Sequence, residues 1–357
     1  MMSVLHEWYL AARLMVRRLF MGPIWGLQLL TGYKSFRDNP IIGHPFLNAC
    51  GLHVVRQKLA HHAAARRRRG MAHLIPPERI EEFERNGFIV VHDVLPHREF
   101  DRLLKEVRAF RTVARETVQG DTVTRRIALD PDALKNMPVL RRFLGMRAWR
   151  DLIRYVGSHD VEPIYYIQTI LSKVVKGPPD PQTDLHADTF HPTVKAWFTL
   201  TDVKADGGPL VYVPGSHRIT PGRMAWEKTM SMGAARAMNR LTGRGSPRVT
   251  REELAAMGYG PPVTLDMPAN SLIVADTGGF HARGYGKGAC FRAEIWAYGR
   301  HNPFFSLPVD IWRIPTLGQR RARWGWIIGD RLAALGLKRQ VWRPCVDKSA
   351  FDPHIPE

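Results

Sequence analysis

The sequence predicts a mainly β protein with flanking helices, its core an all-β sandwich or barrel. Three observations point there. Short runs rich in β-branched and aromatic residues recur between Tyr165 and Tyr298. Turns built on glycine and proline separate them, at Gly177-Pro178-Pro179-Asp180 and Gly207-Gly208-Pro209. The last run, Phe291 to Tyr298, alternates in character along its length. Short strands punctuated in this way are the pattern of sandwiches and barrels.

Taken in order, Tyr165 to Leu171 reads as a buried strand. After the first turn comes Asp184-Leu185-His186-Ala187-Asp188, then Ala196 to Val203, then Leu210 to Val213 running into Pro214-Gly215-Ser216-His217. Ser271 to Asp276 leads through Thr277-Gly278-Gly279 to Phe280-His281. In Phe291 to Tyr298, a period of two puts Arg292, Glu294 and Trp296 on one face and Phe291, Ala293 and Ile295 on the other. Residues 219–260 interrupt the strands. Met224 to Asn239 is rich in methionine and alanine and helical in character, and Thr250-Arg251-Glu252-Glu253-Leu254 resembles a capped helix start. Such an insertion is a natural lid or substrate wall, although methionines there are more often ordinary packing.

His186-Ala187-Asp188 carries the chemistry. In a strand, positions i and i+2 share a face, so this imidazole and this carboxylate project together, and His281 downstream is a third candidate ligand. Two imidazoles and a carboxylate on one side of a metal form the facial triad of non-haem Fe(II) oxygenases. An isolated HxD is more often a buried, hydrogen-bonded histidine; the ordered strands and turns around this one favour metal. His191, an odd step from His186, faces the other way in a continuous strand. His217 ends a turn and is expected to fix it by hydrogen bonding.

The ordered set Asp184 to Asp188, Trp197-Phe198-Thr199-Leu200-Thr201-Asp202, Gly207-Gly208-Pro209-Leu210 and Val213-Pro214-Gly215-Ser216-His217 resembles the phytanoyl-CoA dioxygenase family. So does Glu82 to Leu95, which is similar to that family's opening helix and first strand. The resemblance spans roughly residues 76–305. It implies a double-stranded β-helix, the cupin-like jelly roll, working with Fe(II), 2-oxoglutarate and O2, with ascorbate as a supporting reductant. His186, Asp188 and His281 match the iron ligands. Arg292, eleven positions after His281, matches the arginine that pairs with the distal carboxylate of 2-oxoglutarate. A planar guanidinium suits that task because it can donate two parallel charge-assisted hydrogen bonds. Trp197 matches an aromatic residue of the cosubstrate pocket, with plain core as the competing reading, and Arg292 itself has a solvated strand residue as its competitor. Lys173 and Arg125 fall near positions that supply further polar contacts. Arg283 departs from the pattern, since relatives often carry a small hydroxyl residue there.

The chain has 357 residues, enough for one large core with elaborations, and 45% hydrophobic content fits a folded globular protein. Its three cysteines, Cys50, Cys290 and Cys345, are widely spaced and odd in number, which indicates neither a disulfide framework nor a zinc site and suits a reducing compartment. The organisation expected is a basic, partly amphipathic helical extension over 1–75, a dioxygenase domain over 76–305, and a basic, tryptophan-rich extension over 306–357. A formal charge of +19 implies an anionic partner. In the first extension Leu5, Trp8, Ala12, Val16 and Leu19 recur at helical spacing, and Arg66 to Arg69 form a basic run. Arg320 to Ile328 mirror this at the other end. No stretch has the roughly 18–20 apolar residues of a spanning helix, and the N-terminus does not read as a signal peptide. Basic residues beside tryptophan and leucine fit a helix lying on an anionic membrane, with packing on the barrel as the alternative.

These expectations converge on a cytoplasmic enzyme, peripheral to a membrane, that hydroxylates an unactivated C–H bond of a small or lipid-like, anionic substrate. An intact Asp188 carboxylate leaves no ligand position for chloride, which favours hydroxylation over halogenation. The alternatives are a catalytically silent cupin-type binding protein and a basic nucleic-acid-associated oxygenase. The chain lacks any helix-turn-helix, zinc or RNP-type motif that would favour the latter.

Overall fold

The computed structural model describes residues 21–305 and 311–354. Two antiparallel sheets form the core. The larger contains β1 (Phe88–Val91), β2 (Thr112–Gln119), β3 (Thr122–Ala128), β4 (Ile164–Ser172), β5 (Val194–Thr199), β8 (Leu272–Asp276), β10 (Cys290–Gly299) and β11 (Arg343–Lys348), in the order β1-β8-β5-β10-β4-β3-β2-β11. The smaller contains β6 (Leu210–Tyr212), β7 (Val263–Leu265) and β9 (His281–Arg283), in the order β7-β6-β9. Together they make the jelly-roll core with flanking helices that the sequence predicts.

Alternation decides what each face of the large sheet meets. On β10, Ala293, Ile295 and Ala297 join Ile167, Phe198 and Val274 in a core covered by helices Pro77–Asn86, His97–Ala109, Pro138–Gly145 and Arg147–Gly157. Within it Phe198 lies 4.4 Å from Phe143, ring centre to ring centre. On the opposite face Trp296 stands in register with Tyr166 on one side and Trp197 on the other. These rings meet Tyr212 and Leu210 of the small sheet, closing one end of the space between the sheets. The face carrying Arg292, Glu294 and Trp296 is therefore the one turned toward that space.

The helix over Pro77–Asn86 begins with proline in its first turn, where no N–H is needed. It stops at Gly87, whose φ of 86° turns the chain into β1. A Cβ there would lie 2.5 Å from His217 Nδ1, so the turn has room for glycine alone. The helix and strand expected at Glu82–Leu95 are thus both present.

The interruption at 219–260 is helical, with elements at Pro221–Gly233, Arg240–Gly243 and Arg251–Ala256. Thr250 and Glu253 form the capping box read from the sequence. The first of these helices is anchored: buried Glu227 accepts from His53, Gln57 and Arg223. Helix Leu52–Met71 brings His53 and Gln57 there.

The described parts of both extensions pack on this core. Trp25 is buried, and Asn39 donates to its carbonyl. Within the basic run, Arg67 donates to the Ser158 and Pro303 carbonyls. Arg68 pairs with Asp276 at 3.0 Å and covers the Phe83 ring. Those two arginines pack on the core, while Arg66 and Arg69 are exposed. The helix Pro315–Ala334 lies on β4, where Trp326 is 5.5 Å from Tyr166, and β11 pairs with β2. The amphipathic segment around Trp8 lies outside the described residues. No helix among the described residues is long and apolar enough to cross a membrane.

Candidate metal centre

His186, Asp188 and His281 converge between the sheets, their ligand atoms all within 4.8 Å of one another. His186 Nε2 is 3.8 Å and His281 Nε2 3.9 Å from Asp188 Oδ1, too far for hydrogen bonds and close enough to share one ion. The strand expected at His186 is only a pair of isolated bridges, to His281 and to Arg248. Two backbone hydrogen bonds between His186 and His281, each 2.9 Å, are what join the ligands across the chain. Asp188 is fixed separately, its N–H donating to the Thr277 carbonyl at 2.9 Å.

The ring orientations suit a cation. His186 Nδ1 donates to the Asp184 carbonyl and His281 Nδ1 to the Gly279 carbonyl, at 2.7 and 3.0 Å. A carbonyl only accepts, so each Nδ1 carries the proton and each Nε2 keeps its lone pair. Buried His186 Nε2 has no hydrogen-bond partner, an arrangement that costs free energy unless something electrophilic fills it. Burial, then the neighbouring His281, pushes His186 well below the usual imidazole range, and burial holds His281 at about 4. Both are therefore neutral ligands at physiological pH. Burial alone would raise Asp188, but Lys195 first, then the two histidines, hold it well below the usual carboxylate range. Lys195 Nζ stands 2.6 Å from Asp188 Oδ2 without hydrogen-bond alignment, which leaves Oδ1 facing the imidazoles. Lys34 donates to the Asp188 carbonyl. The donor set, two nitrogens and one oxygen on a single side, fits Fe(II).

A cavity of about 300 Å³ opens from this point, lined by Trp197, Arg292, Arg283, Tyr298 and Trp296 among others. Arg292 reaches it from β10, donates to the Gly208 carbonyl, and keeps its Nε 3.5 Å from Glu294 Oε2 without a hydrogen bond. Trp197 lines the cavity while packed in the aromatic row. Arg283 also lines it, but Asp180 takes its guanidinium in a 2.5 Å ion pair.

Three sequence expectations differ from the placement seen here, those for Lys173, Arg125 and His217. Lys173 is exposed at a left-handed turn residue (φ 56°) just after β4 and does not line the cavity. Arg125, fully buried, points out of the site's face. It pairs with Glu116 and holds the Ser349, Asp352 and Pro353 carbonyls. His217 likewise does not fix its turn, since neither ring nitrogen has a hydrogen-bond partner and the ring packs 5.0 Å from Phe83. Ser216 does that work, accepting from the Phe280 N–H at 2.7 Å. His191 is buried, its Nδ1 donating to the Pro192 carbonyl, and does not line the cavity.

Lys195, Arg126 and Gln168 line the cavity without having been singled out from sequence. The signal was present for two of them. Lys195 is two residues before Trp197, and Gln168 two after Tyr166, so alternation alone puts each on the cavity face.

A His-Asp-His triad between jelly-roll sheets, with an arginine on the adjoining wall, is the arrangement expected of Fe(II)/2-oxoglutarate-dependent oxygenases. The chain belongs to the phytanoyl-CoA dioxygenase family, whose sequence model matches residues 83–270. It is an enzyme of that iron- and 2-oxoglutarate-dependent type. His281 and Arg292 lie beyond the matched stretch, and the fold returns them to it. Among solved structures, the chain is similar to the non-heme alpha ketoglutarate dependent epimerase SnoN from nogalamycin biosynthesis. That likeness has 22% identity and a TM-score of 0.41, over 64% of this chain and 82% of that one. HygX from Streptomyces hygroscopicus, with nickel, 2-oxoglutarate and hygromycin B bound, gives 16% identity and a TM-score of 0.41 over 66% and 90%. EctD from S. alaskensis with bound Fe gives 18% and 0.38 over 64% and 77%. No curated protein sequence matches the chain.

Proposed function

We propose that His186, Asp188 and His281 hold one Fe(II), that Arg292 grips the distal carboxylate of 2-oxoglutarate with Trp197 walling its pocket, and that the enzyme hydroxylates an unactivated C–H bond of a small, anionic, partly apolar substrate. The observation that carries this reading is the convergence of two neutral imidazoles and an ionised carboxylate at one cavity, with an unfilled nitrogen lone pair pointing inward. Bound iron and 2-oxoglutarate supply the oxidising chemistry, R–H and O2 going to R–OH as 2-oxoglutarate becomes succinate and carbon dioxide.

The chain's own residues do the positioning. Carbonyl acceptors lock both imidazole tautomers, and Lys195 keeps Asp188 ionised and turned to present one oxygen. Arg292, on a strand paired on both sides, offers an N–H fork that is preorganised before any carboxylate arrives. Trp197, Trp296 and Tyr298 give the cavity an apolar wall against which a C–H bond can lie. Lys34, Lys195, Arg248 and Arg300 surround that region with positive charge, which supports an anionic substrate.

Contact with an anionic membrane forms part of the same reading, and the C-terminal helix supports it. Ile327, Ile328 and Trp324 are exposed there, with Leu335 and Leu337 following. Trp25 and Trp326 contribute nothing to it, being packed inside or against Tyr166.

The test is succinate formation coupled to gain of one oxygen by a substrate, in the presence of Fe(II), 2-oxoglutarate and ascorbate. His186→Ala and Asp188→Ala should abolish it in a protein that still unfolds cooperatively. Turnover surviving both substitutions would remove the triad from the mechanism, and absence of any turnover in the native chain would favour a silent binding protein.

A further inference from the structure

We propose that a second cavity, next to the one at the triad, binds a phosphate or comparable dianionic end of the substrate. The inference rests on the anionic-substrate reading above and names where the anion sits. The cavity measures about 520 Å³, larger than the one at the metal ligands, and Arg300 lines both. Because Arg300 is shared, a single molecule can place its charged end in one space and its reactive carbon in the other.

Four guanidiniums reach this cavity from distant parts of the chain. Arg67 comes from the helix Leu52–Met71, Arg300 follows β10, and Arg313 and Arg321 come from the C-terminal helical region. Among the described residues, no carboxylate pairs with Arg67, Arg300 or Arg313. Arg67 donates to carbonyls and to the Ser158 hydroxyl, and Arg313 donates to the Asp160 carbonyl. Among the described residues, Arg300 meets the Tyr298 ring, 5.8 Å away. The carboxylate lining the cavity, Asp160, is paired with Arg154 at 2.9 Å. Arg67, Arg300 and Arg313, clustered without a carboxylate counter-ion among the described residues, repel one another, and an oxyanion that accepts several N–H groups relieves that repulsion.

The surroundings report the same excess. Burial, then Arg68, brings Arg67 down to about 10. Burial, then His159, Arg321 and Arg67, holds His301 at about 3. The chemistry is thus that of an anion site whose carboxylate among the described residues, Asp160, is already taken by Arg154. Trp312 and Phe305 add an apolar wall, so the ligand expected is an organic phosphate and not a bare ion.

Phenyl phosphate, benzoate and phenol test this on the full-length protein by calorimetry. Saturable binding of phenyl phosphate, weaker binding of benzoate and none of phenol are expected. Arg300→Gln and Arg313→Gln should each weaken phenyl phosphate by at least about tenfold, the loss of one charge-assisted hydrogen bond. Both should leave the thermal midpoint in place, because neither side chain is paired with a carboxylate. The His186→Ala protein should bind phenyl phosphate as the native one does, which separates failure of this site from failure of the metal reading. Equal binding of phenol, indifference to both arginine substitutions, or loss of binding in His186→Ala would overturn the assignment. Vesicles of phosphatidylcholine with phosphatidic acid identify the source of the phosphate. Cosedimentation that phenyl phosphate displaces and Arg300→Gln abolishes assigns it to a lipid headgroup. Phenyl phosphate binding without such cosedimentation assigns it to a soluble ester.

Discussion

Replacing Arg292 with lysine keeps the charge and removes the fork. In the structure the guanidinium is held on β10, which is paired on both sides, with one terminal nitrogen on the Gly208 carbonyl and Nε unpartnered beside Glu294. An ammonium at the end of a flexible stem can satisfy the carbonyl or a ligand carboxylate, and it cannot donate two parallel bonds to the latter. One lost hydrogen bond to a charged group is worth about 1.5–3 kcal/mol. The half-saturating 2-oxoglutarate concentration should therefore rise roughly 10- to 150-fold. Titrating 2-oxoglutarate against succinate formation at saturating Fe(II) measures this. Iron affinity and the unfolding midpoint should stay put, because Arg292 touches neither the triad nor the helix-side core. An unchanged 2-oxoglutarate requirement would refute the assignment and pass the role to another cavity cation, Arg126 or Arg283, the second after release from Asp180.

Three further outcomes are expected. Phe198→Ala should cost about 3–5 kcal/mol in denaturant unfolding, since the ring is fully buried against Phe143 and Phe100. Burial alone would raise the Glu227 carboxyl, but the hydrogen bond from His53 and the charge of Arg223 bring it from 4.5 to about 2. A depressed carboxyl stabilises above its unfolded value, here on the order of 3 kcal/mol. The deficit of Glu227→Gln in denaturant titrations should thus be full above about pH 4.5 and shrink as pH falls toward 2. The intact protein should sediment with anionic vesicles more than neutral ones, at roughly 1 kcal/mol per basic residue near the surface, and retention by neither at low salt would remove the membrane reading.

Strands β4, β5, β8 and β10 are legible in the sequence because their helix-side positions are apolar and β-branched or aromatic, so alternation shows against turns of glycine and proline. The triad is legible because its order and spacing survive any error in strand boundaries. Strands β2 and β3 are harder. Thr112 to Gln119 and Thr122 to Ala128 carry arginine, glutamate and threonine, and Thr124 and Arg126 face the cavity where polarity is wanted. A strand whose site-facing side is polar does not stand out by hydrophobic period. Arg125 illustrates the converse. Nothing local announces that a strand arginine will be fully buried by the chain's last described residues, because the carbonyls that hold it lie more than two hundred positions away. His186 was readable as a ligand even though its strand is absent, since the two backbone bonds to His281 do the work a longer ladder would have done.

The surplus of positive charge has a structural distribution that composition could not give. Several acids are consumed as internal partners: Asp180 by Arg283, Asp276 by Arg68, Glu116 by Arg125 and Glu162 by Arg150. Each of these pairs is mostly shielded from water, where breaking one partner away is costly, so these carboxylates are not free to neutralise neighbours. The cations without a carboxylate partner among the described residues include Lys34 and Arg300 around the metal cavity and Arg67 and Arg313 around the adjoining one. Lys34, brought down to about 7 first by burial and then by Arg300, registers the resulting field at its most confined point. A low-dielectric space bounded by one sign of charge concentrates ligands of the other sign, and its pull weakens with salt wherever it opens to solvent. The basic character of the chain therefore bears on catalysis through the two cavities that share Arg300, whether or not its ends also touch a membrane.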